Sequence, residues 1–175
     1  MPNDAESPPI APGKNTQIDR LPDGAFRLRT SLDLARPIDE VFDFFCRAEN
    51  LQRITPPWLG FRILTPLPIA MGADTLIDYR IKLHGLPMRW RTKIAVWNPP
   101  HEFVDDQLRG PYRQWTHTHR FEAIPGGTRA SDEVIYRTPG GALIERLFVR
   151  RNVAAIFAYR QQRMIELFGQ LFLAT

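Results

Sequence analysis

The sequence lacks the features that mark most enzyme classes. Its single cysteine, Cys46, excludes an intramolecular disulfide. The glycines of "GTR" and "PGG" read as turns, because neither opens a strand-to-helix unit with the spacing of a phosphate-binding loop, and no serine stands in a nucleophile elbow. No run of five like charges occurs. The 23 basic and 19 acidic side chains are dispersed, so the net charge of +4 aids solubility without leaving a nucleic-acid footprint. No apolar stretch reaches the ~18 residues that a membrane span requires. The N-terminal "MPNDAESPPIAPGKN" lacks the basic-then-apolar order of a secretory leader. These absences lead to the expectation of a cytoplasmic protein with no nucleic-acid partner, no transmembrane segment and no bound cofactor.

What is present fits one domain, since 175 residues can enclose one sizeable core. Residues 1 to about 24 hold Pro2, Pro8, Pro9, Pro12 and Pro22 among small and polar side chains, the composition of a disordered tail. From Phe26 the pattern changes. Phe26, Leu28, Thr30, Leu32 and Leu34 alternate with polar residues at the period of a strand with one buried face. Pro37, at the first turn of a helix, introduces Val41, Phe42, Phe44 and Phe45 at helical spacing. "AENLQRIT" then makes a second short helical stretch, which "TPPW" ends.

Six more strands follow: "GFRILTP", "DTLIDYRIKLHG", "MRWRTKIAVW", "HEFVDDQLRG", "RQWTHTHRFEAI" and "TRASDEVIYR", separated by Gly and Pro signals. Ile77, Tyr79, Ile81 and Leu83 share an inner face with Met88, Trp90, Thr92, Ile94 and Val96. The opposite face, including Arg89, Arg91 and Lys93, is solvated. The stretch from about Ala142 to Phe172 reads as one long helix with Val149, Val153, Ile156, Phe157, Met164, Leu167, Phe168 and Leu171 on one stripe. The predicted fold class is therefore α+β: a seven-stranded, curved antiparallel sheet wrapped around a C-terminal helix, with two short helices after strand one. A sheet bent around a helix leaves a concavity lined by inward side chains, the usual setting of a small-molecule site.

This order of elements, with "RPIDEVFDFFCRAENLQRITPPW", "FVDDQLRGPYRQWTHTHRF", "DEVIY" and "LFVRRNVAAIFAYR", resembles the SRPBCC proteins of the START-like, helix-grip superfamily over about residues 25 to 172. The domain expected is 25–175. The resemblance lies closest to a bacterial subgroup described as ligand-binding or polyketide cyclase-like. It implies a hydrophobic ligand such as a lipid, sterol, quinone, isoprenoid or polyketide; some members are aromatases or cyclases and others only carry. Related domains occur beside epimerase-like enzymes, which implies a protein partner of that kind.

The chemistry centres on "WTHTHRF". Trp115, His117, His119 and Phe121 share one face, and the flanking aromatics make it the inner one. Residues i and i+2 of a strand stand ~7 Å apart, near enough to ligate one metal. His84 and His101 lie near strand ends, however, so a third ligand is missing and no metal is expected. If "GPY" is a three-residue loop, Asp105 opposes His117, Phe103 opposes His119 and Gln107 opposes Trp115. A two-residue Gly-Pro loop would instead turn Val104, Asp106 and Leu108 inward.

In the first register a carboxylate beside an imidazole raises its pKa, so Asp105 and His117 are candidate catalytic residues; the alternative is a satisfied polar network that shapes the pocket. Asp132 alternates with Val134 and Tyr136 and faces inward. Arg160 lies between Ile156 and Met164 on the helix stripe, where it pairs with an aspartate or holds a ligand oxygen. Tyr79, Trp90, Trp115, Tyr136 and Tyr159 give an aromatic lining with polar tips. Trp58 and Leu59 of "PPWLGF" are either a gate or a buried corner. Cys46, with no histidine near it in sequence, is not a nucleophile candidate.

Overall fold

The structure, a computed structural model, describes residues 16–83 and 85–171. The expected tail at 1–15 and His84 lie outside the described residues. Eight antiparallel strands form one sheet in the order β1-β2-β8-β7-β6-β5-β4-β3. They are β1 Gln17–Arg20, β2 Phe26–Leu34, β3 Arg62–Ile63, β4 Leu76–Leu83, β5 Leu86–Asn98, β6 Glu102–Arg109, β7 Gln114–Ile124 and β8 Gly127–Arg137. Helix α1, Ile38–Phe45, and two 3₁₀ stretches at Ala48–Ile54 and Pro57–Leu59 follow β2. After β8 come α2, Gly141–Ile144, a π-helical turn at Glu145–Val149, and α3, Arg150–Phe168. The α+β class, the curved antiparallel sheet and the long C-terminal helix match the sequence expectation.

Four details correct it. The eighth strand, β1, falls inside the segment read as tail: it pairs along the free edge of β2, and Asp19 accepts a hydrogen bond from Arg29 at 2.9 Å. Pro37 is the N-cap of α1 rather than a first-turn residue. Val96 is 41% exposed because the β5–β6 register shifts between Ile94 and Val96; Trp97 packs against the core instead. The C-terminal helix stops at Phe168, since Gly169 adopts φ +73° and Gln170 bridges back to Leu34.

The solvated face of the sheet carries ion pairs. Arg91 donates to both oxygens of Asp78 at 2.8 Å, and Lys93 lies 2.6 Å from Asp74. The inner face holds two separate apolar clusters. One gathers Leu32, Leu34, Phe42, Phe103, Phe121, Met164 and Phe168; the other gathers Phe26, Leu28, Val134, Tyr136, Val153 and Phe157. Between them runs a polar belt, one residue or pair from each crossing element: Thr30 of β2, Asp132 of β8, His117 and His119 of β7, Asp105 of β6 and Arg160 of α3. Thr30 stands opposite Asp132 and Asp132 opposite His119, so the belt follows the cross-strand register.

Candidate functional site

The β6–β7 register is the first of the two alternatives: Asp105 opposes His117 and Phe103 opposes His119. Leu108 accordingly points outward. The three-residue loop does not form, because pairing ends at Asp106 and Thr116. Gln107 turns its amide to the connection instead, donating to the Tyr112 carbonyl at 2.7 Å.

Hydrogen bonding crosses the register. His117, opposite Asp105, has Nε2 2.9 Å from Asp132 Oδ1, while its Nδ1 is 3.9 Å from Asp105 Oδ2, beyond hydrogen-bond reach. His119 holds both carboxylates, with Nε2 2.9 Å from Asp105 Oδ2 and Nδ1 2.8 Å from Asp132 Oδ1. Arg160 donates from Nε to Asp132 Oδ2 and from Nη2 to Asp132 Oδ1, each at 3.2 Å. The expected Asp105–His117 pair is thus corrected to His117–Asp132 and His119–Asp105. Cross-strand alternation makes the α-carbons neighbours, but the imidazoles reach diagonally past them.

His117, His119 and Arg160 are buried and the carboxylates of Asp105 and Asp132 are only 16% and 12% exposed, so their charges must balance locally. Burial opposes charge on His119, yet the hydrogen bonds to Asp105 and Asp132 outweigh it and raise its pKa. Burial and the neighbouring His119 lower the pKa of His117 against the pull of Asp132. Burial would raise both aspartates; the bond from His119 lowers Asp105, and Arg160 with the two histidine bonds holds Asp132 well below the carboxylate range. The consistent assignment is two carboxylates, one guanidinium, one imidazolium at His119 and one neutral imidazole at His117, with no net charge. A carboxylate only accepts, so His117 Nε2 carries its hydrogen and Nδ1 keeps a lone pair.

Asp105, His117, His119 and Arg160 of the belt line a cavity in two adjoining chambers of about 160 and about 70 Å³. They share Leu51, Ile54, Tyr79, Asp105, His119 and Arg160. Trp90, Trp115, His117 and Ile156 add to the larger chamber, and Phe103 and Thr92 to the smaller. Tyr79 and Trp90 both bond the Thr92 hydroxyl, at 2.9 and 3.1 Å. Burial raises the Tyr79 phenol far above its usual pKa, so it stays protonated.

Of the remaining expected site residues, Asp132 lies beneath the histidines, and Met164 belongs to the first apolar cluster. Tyr136 is fully buried and donates to Glu145 Oε1 at 2.9 Å, and Tyr159 packs edge-on against Trp58. Leu59 lines the larger chamber while Trp58 stays half exposed. Cys46 is outside both chambers, its thiol pushed up to about 11 by burial and by Asp43.

Sequence reasoning missed Tyr112, which lines the larger chamber against Trp90 and Trp115. It sits in a connection, where no periodicity signals an inward side chain. Glu145 was also missed; it is 1% exposed in the π-helical turn and receives bonds from Tyr136 and Arg150.

Asp105, His117 and His119 place candidate metal-ligating atoms within 4.8 Å of one another, so the third ligand missing from the sequence pattern is Asp105. A divalent ion there would have to displace the His119 proton and face Arg160, whose Nη2 is 3.1 Å from His119 Nδ1. The charge balance favours the proton network.

Solved structures share this architecture. Protein Ms6760 of Mycobacterium smegmatis is 16% identical, covering 87% of this chain and 96% of its own, with a TM-score of 0.63. A protein of Arthrobacter aurescens is 13% identical over 86% of this chain and 91% of its own, with a TM-score of 0.63. The Zhui aromatase/cyclase of Streptomyces sp. R1128 is 15% identical over 82% and 96%, with a TM-score of 0.59. At such identities the likeness is one of fold. No curated protein matches the chain significantly. Residues 34–157, from the end of β2 to the middle of α3, match the family described as polyketide cyclase / dehydrase and lipid transport. With that match spanning most of the chain, the protein belongs to this family.

Proposed function

We propose that the protein binds a compact hydrophobic ligand with at least one ring and a carbonyl or hydroxyl oxygen, of quinone, isoprenoid or polyketide-like character. The observation that carries this reading is an apolar cavity whose polar groups converge on one floor. Ile77, Ile81, Leu51, Ile54 and Phe157 supply the walls, and His117, His119 and Arg160 offer the polar contacts. Size narrows the class. A dry cavity of ~150 Å³ accommodates benzene, so the larger chamber takes one ring and the smaller a substituent, while a longer chain must leave through the mouth. Leu51, half-buried and shared by both chambers, gives the test. Calorimetry against quinones, isoprenoid alcohols, fatty acids and aromatic polyketide mimics should find a ligand whose binding weakens at least tenfold in Leu51→Trp. A folded wild-type protein that binds none of the panel refutes the reading.

A second reading rests on the two histidines, whose pKa values are driven in opposite directions 3.8 Å apart between ring centres. Such divergence supports reading an acid and a base at one site. His117 Nδ1 would take a proton from the ligand, with Asp132 orienting the ring, while Arg160 or Tyr79 stabilises the developing oxyanion. The reaction is then a cofactor-free cyclisation, dehydration or isomerisation. His117→Ala should abolish turnover and leave ligand binding within about threefold; equal loss of both would leave His117 a binding residue only.

A further inference from the structure

One end of the molecule combines exposed apolar side chains with unneutralised positive charge. There the β4–β5 turn, the β6–β7 connection and the chain leaving β8 come together. Leu83 pairs with Leu86, Arg91 with Arg109, Gln114 with Arg137, and the Arg113 amide donates to the Arg137 carbonyl at 2.9 Å. From this end project Leu86, Leu108, Leu143, Leu147 and Phe148, each more than half exposed. The last three lie on α2 and the π-helical turn. Positions 143, 147 and 148 share a side of the helix, so they form an apolar ridge covered by no other described element.

The unpaired charge of the segments at this end is of one sign. Residues 82–89, 109–113 and 139–151 contain Lys82, Arg89, Arg109, Arg113, Arg146 and Arg151, all exposed. Among the described residues none of these six takes part in an ion pair, whereas Arg91, Lys93, Arg120 and Arg129 elsewhere on the sheet all do. The only acidic residue in those segments is Glu145, buried and bonded to Tyr136 and Arg150. The larger cavity chamber reaches this same end through Leu83, Pro111 and Tyr112.

We propose that this end docks on an anionic lipid bilayer surface, with Leu143, Leu147 and Phe148 entering the headgroup layer and the six basic side chains meeting lipid phosphates. Apolar side chains ringed by lysine and arginine are what an interfacial contact requires. The exposed side chains are aliphatic save Phe148, so they offer no stacking platform for nucleic-acid bases. Docking sets the cavity mouth against the membrane, from which an apolar ligand passes without crossing water. No helix among the described residues is long and apolar enough to cross a membrane, so the contact is peripheral.

The test is co-sedimentation of the full chain with vesicles of equal parts phosphatidylcholine and phosphatidylglycerol, against vesicles of phosphatidylcholine alone. Binding to the anionic vesicles should exceed binding to the neutral ones at least tenfold and fall as salt rises. Leu147→Glu with Phe148→Glu should remove it at least tenfold while leaving the unfolding midpoint unchanged, because both side chains are exposed. The cavity-blocked Leu51→Trp protein should bind vesicles as the wild type does, which separates this docking from occupancy of the cavity. Absence of vesicle binding, equal binding to both lipids, or an unaffected double variant overturns the proposal. So does salt-insensitive self-association that the double variant abolishes, since the ridge then joins two copies of the chain.

Discussion

Replacing Arg160 by methionine tests whether the belt is held by charge balance. Asp132 is 12% exposed and Arg160 8%, with two bonds of 3.2 Å between them and the guanidinium 5.1 Å from the centre of the Phe45 ring. Methionine keeps much of the packing and removes the charge. Breaking one partner of a buried pair costs about 3–5 kcal/mol. The 3.2 Å bonds are longer than the charge-assisted optimum, and His117 and His119 still bond Asp132, so the lower end, about 3 kcal/mol, applies here. For a chain of this size that lowers the melting temperature by roughly 6–12 °C. The loss depends on pH. A carboxyl whose folded pKa is held below its ordinary 3.8 contributes stability present above that value and lost as pH falls through the folded pKa. Arg160→Met lacks most of that contribution, so the difference from wild type is largest near neutrality and shrinks in acid. Urea unfolding at about pH 7 and about pH 3, with the Asp132→Asn/Arg160→Met double variant, measures it. The double variant should be more stable than the single one at neutral pH because it leaves no lone charge buried. A single-variant cost below ~1 kcal/mol, or one that does not change with pH, refutes the assignment.

Nitrogen-detected NMR of the imidazole rings should place the His117 midpoint below 6.5 and that of His119 above it, and Asp105→Asn should lower the latter; two histidines titrating together near 6.5 would contradict the network. In stability the two oppose each other. The contribution of His119 is complete below about 6.5 and lost as pH rises through its folded value, whereas His117 destabilises progressively as pH falls below about 6.5. Tyr136→Phe removes a donor from buried Glu145 and should cost about 1–2 kcal/mol in urea unfolding. Ligand binding should be unchanged, since Tyr136 does not line the cavity; a binding loss would place its hydroxyl in the site.

Much of the scaffold was legible because burial alternates cleanly. In β2 and β8 burial follows every second residue, and in β7 the aromatics flank the histidines on one face, so the strands, their inner faces and the Asp105–His117 register could be read from period and aromatic placement. What escaped reading lies where one extra residue or one turn breaks the period: the β5 register shift that exposes Val96, the π-helical turn that buries Glu145, the connection that carries Tyr112. The partners within the belt escaped for another reason. The pattern settles which α-carbons face each other, while imidazoles with two nitrogens reach more than one carboxylate: His119 bonds Asp132 directly across and Asp105 diagonally, and His117 reaches Asp132 diagonally.

Yet the belt itself was visible as a set of exceptions. Thr30, Asp132, His117, His119 and Arg160 each interrupt an apolar row at the same depth of the fold. An apolar layer at that depth would be neutral or more stabilising by about 1–4 kcal/mol, as found when buried ion pairs are replaced by well-packed hydrophobic residues. Stability alone gives no reason to prefer these residues over an apolar layer. On the proposed function, the three of them that line the cavity, His117, His119 and Arg160, serve what the cavity would receive: a ligand oxygen that needs a hydrogen bond, or a proton that needs somewhere to go.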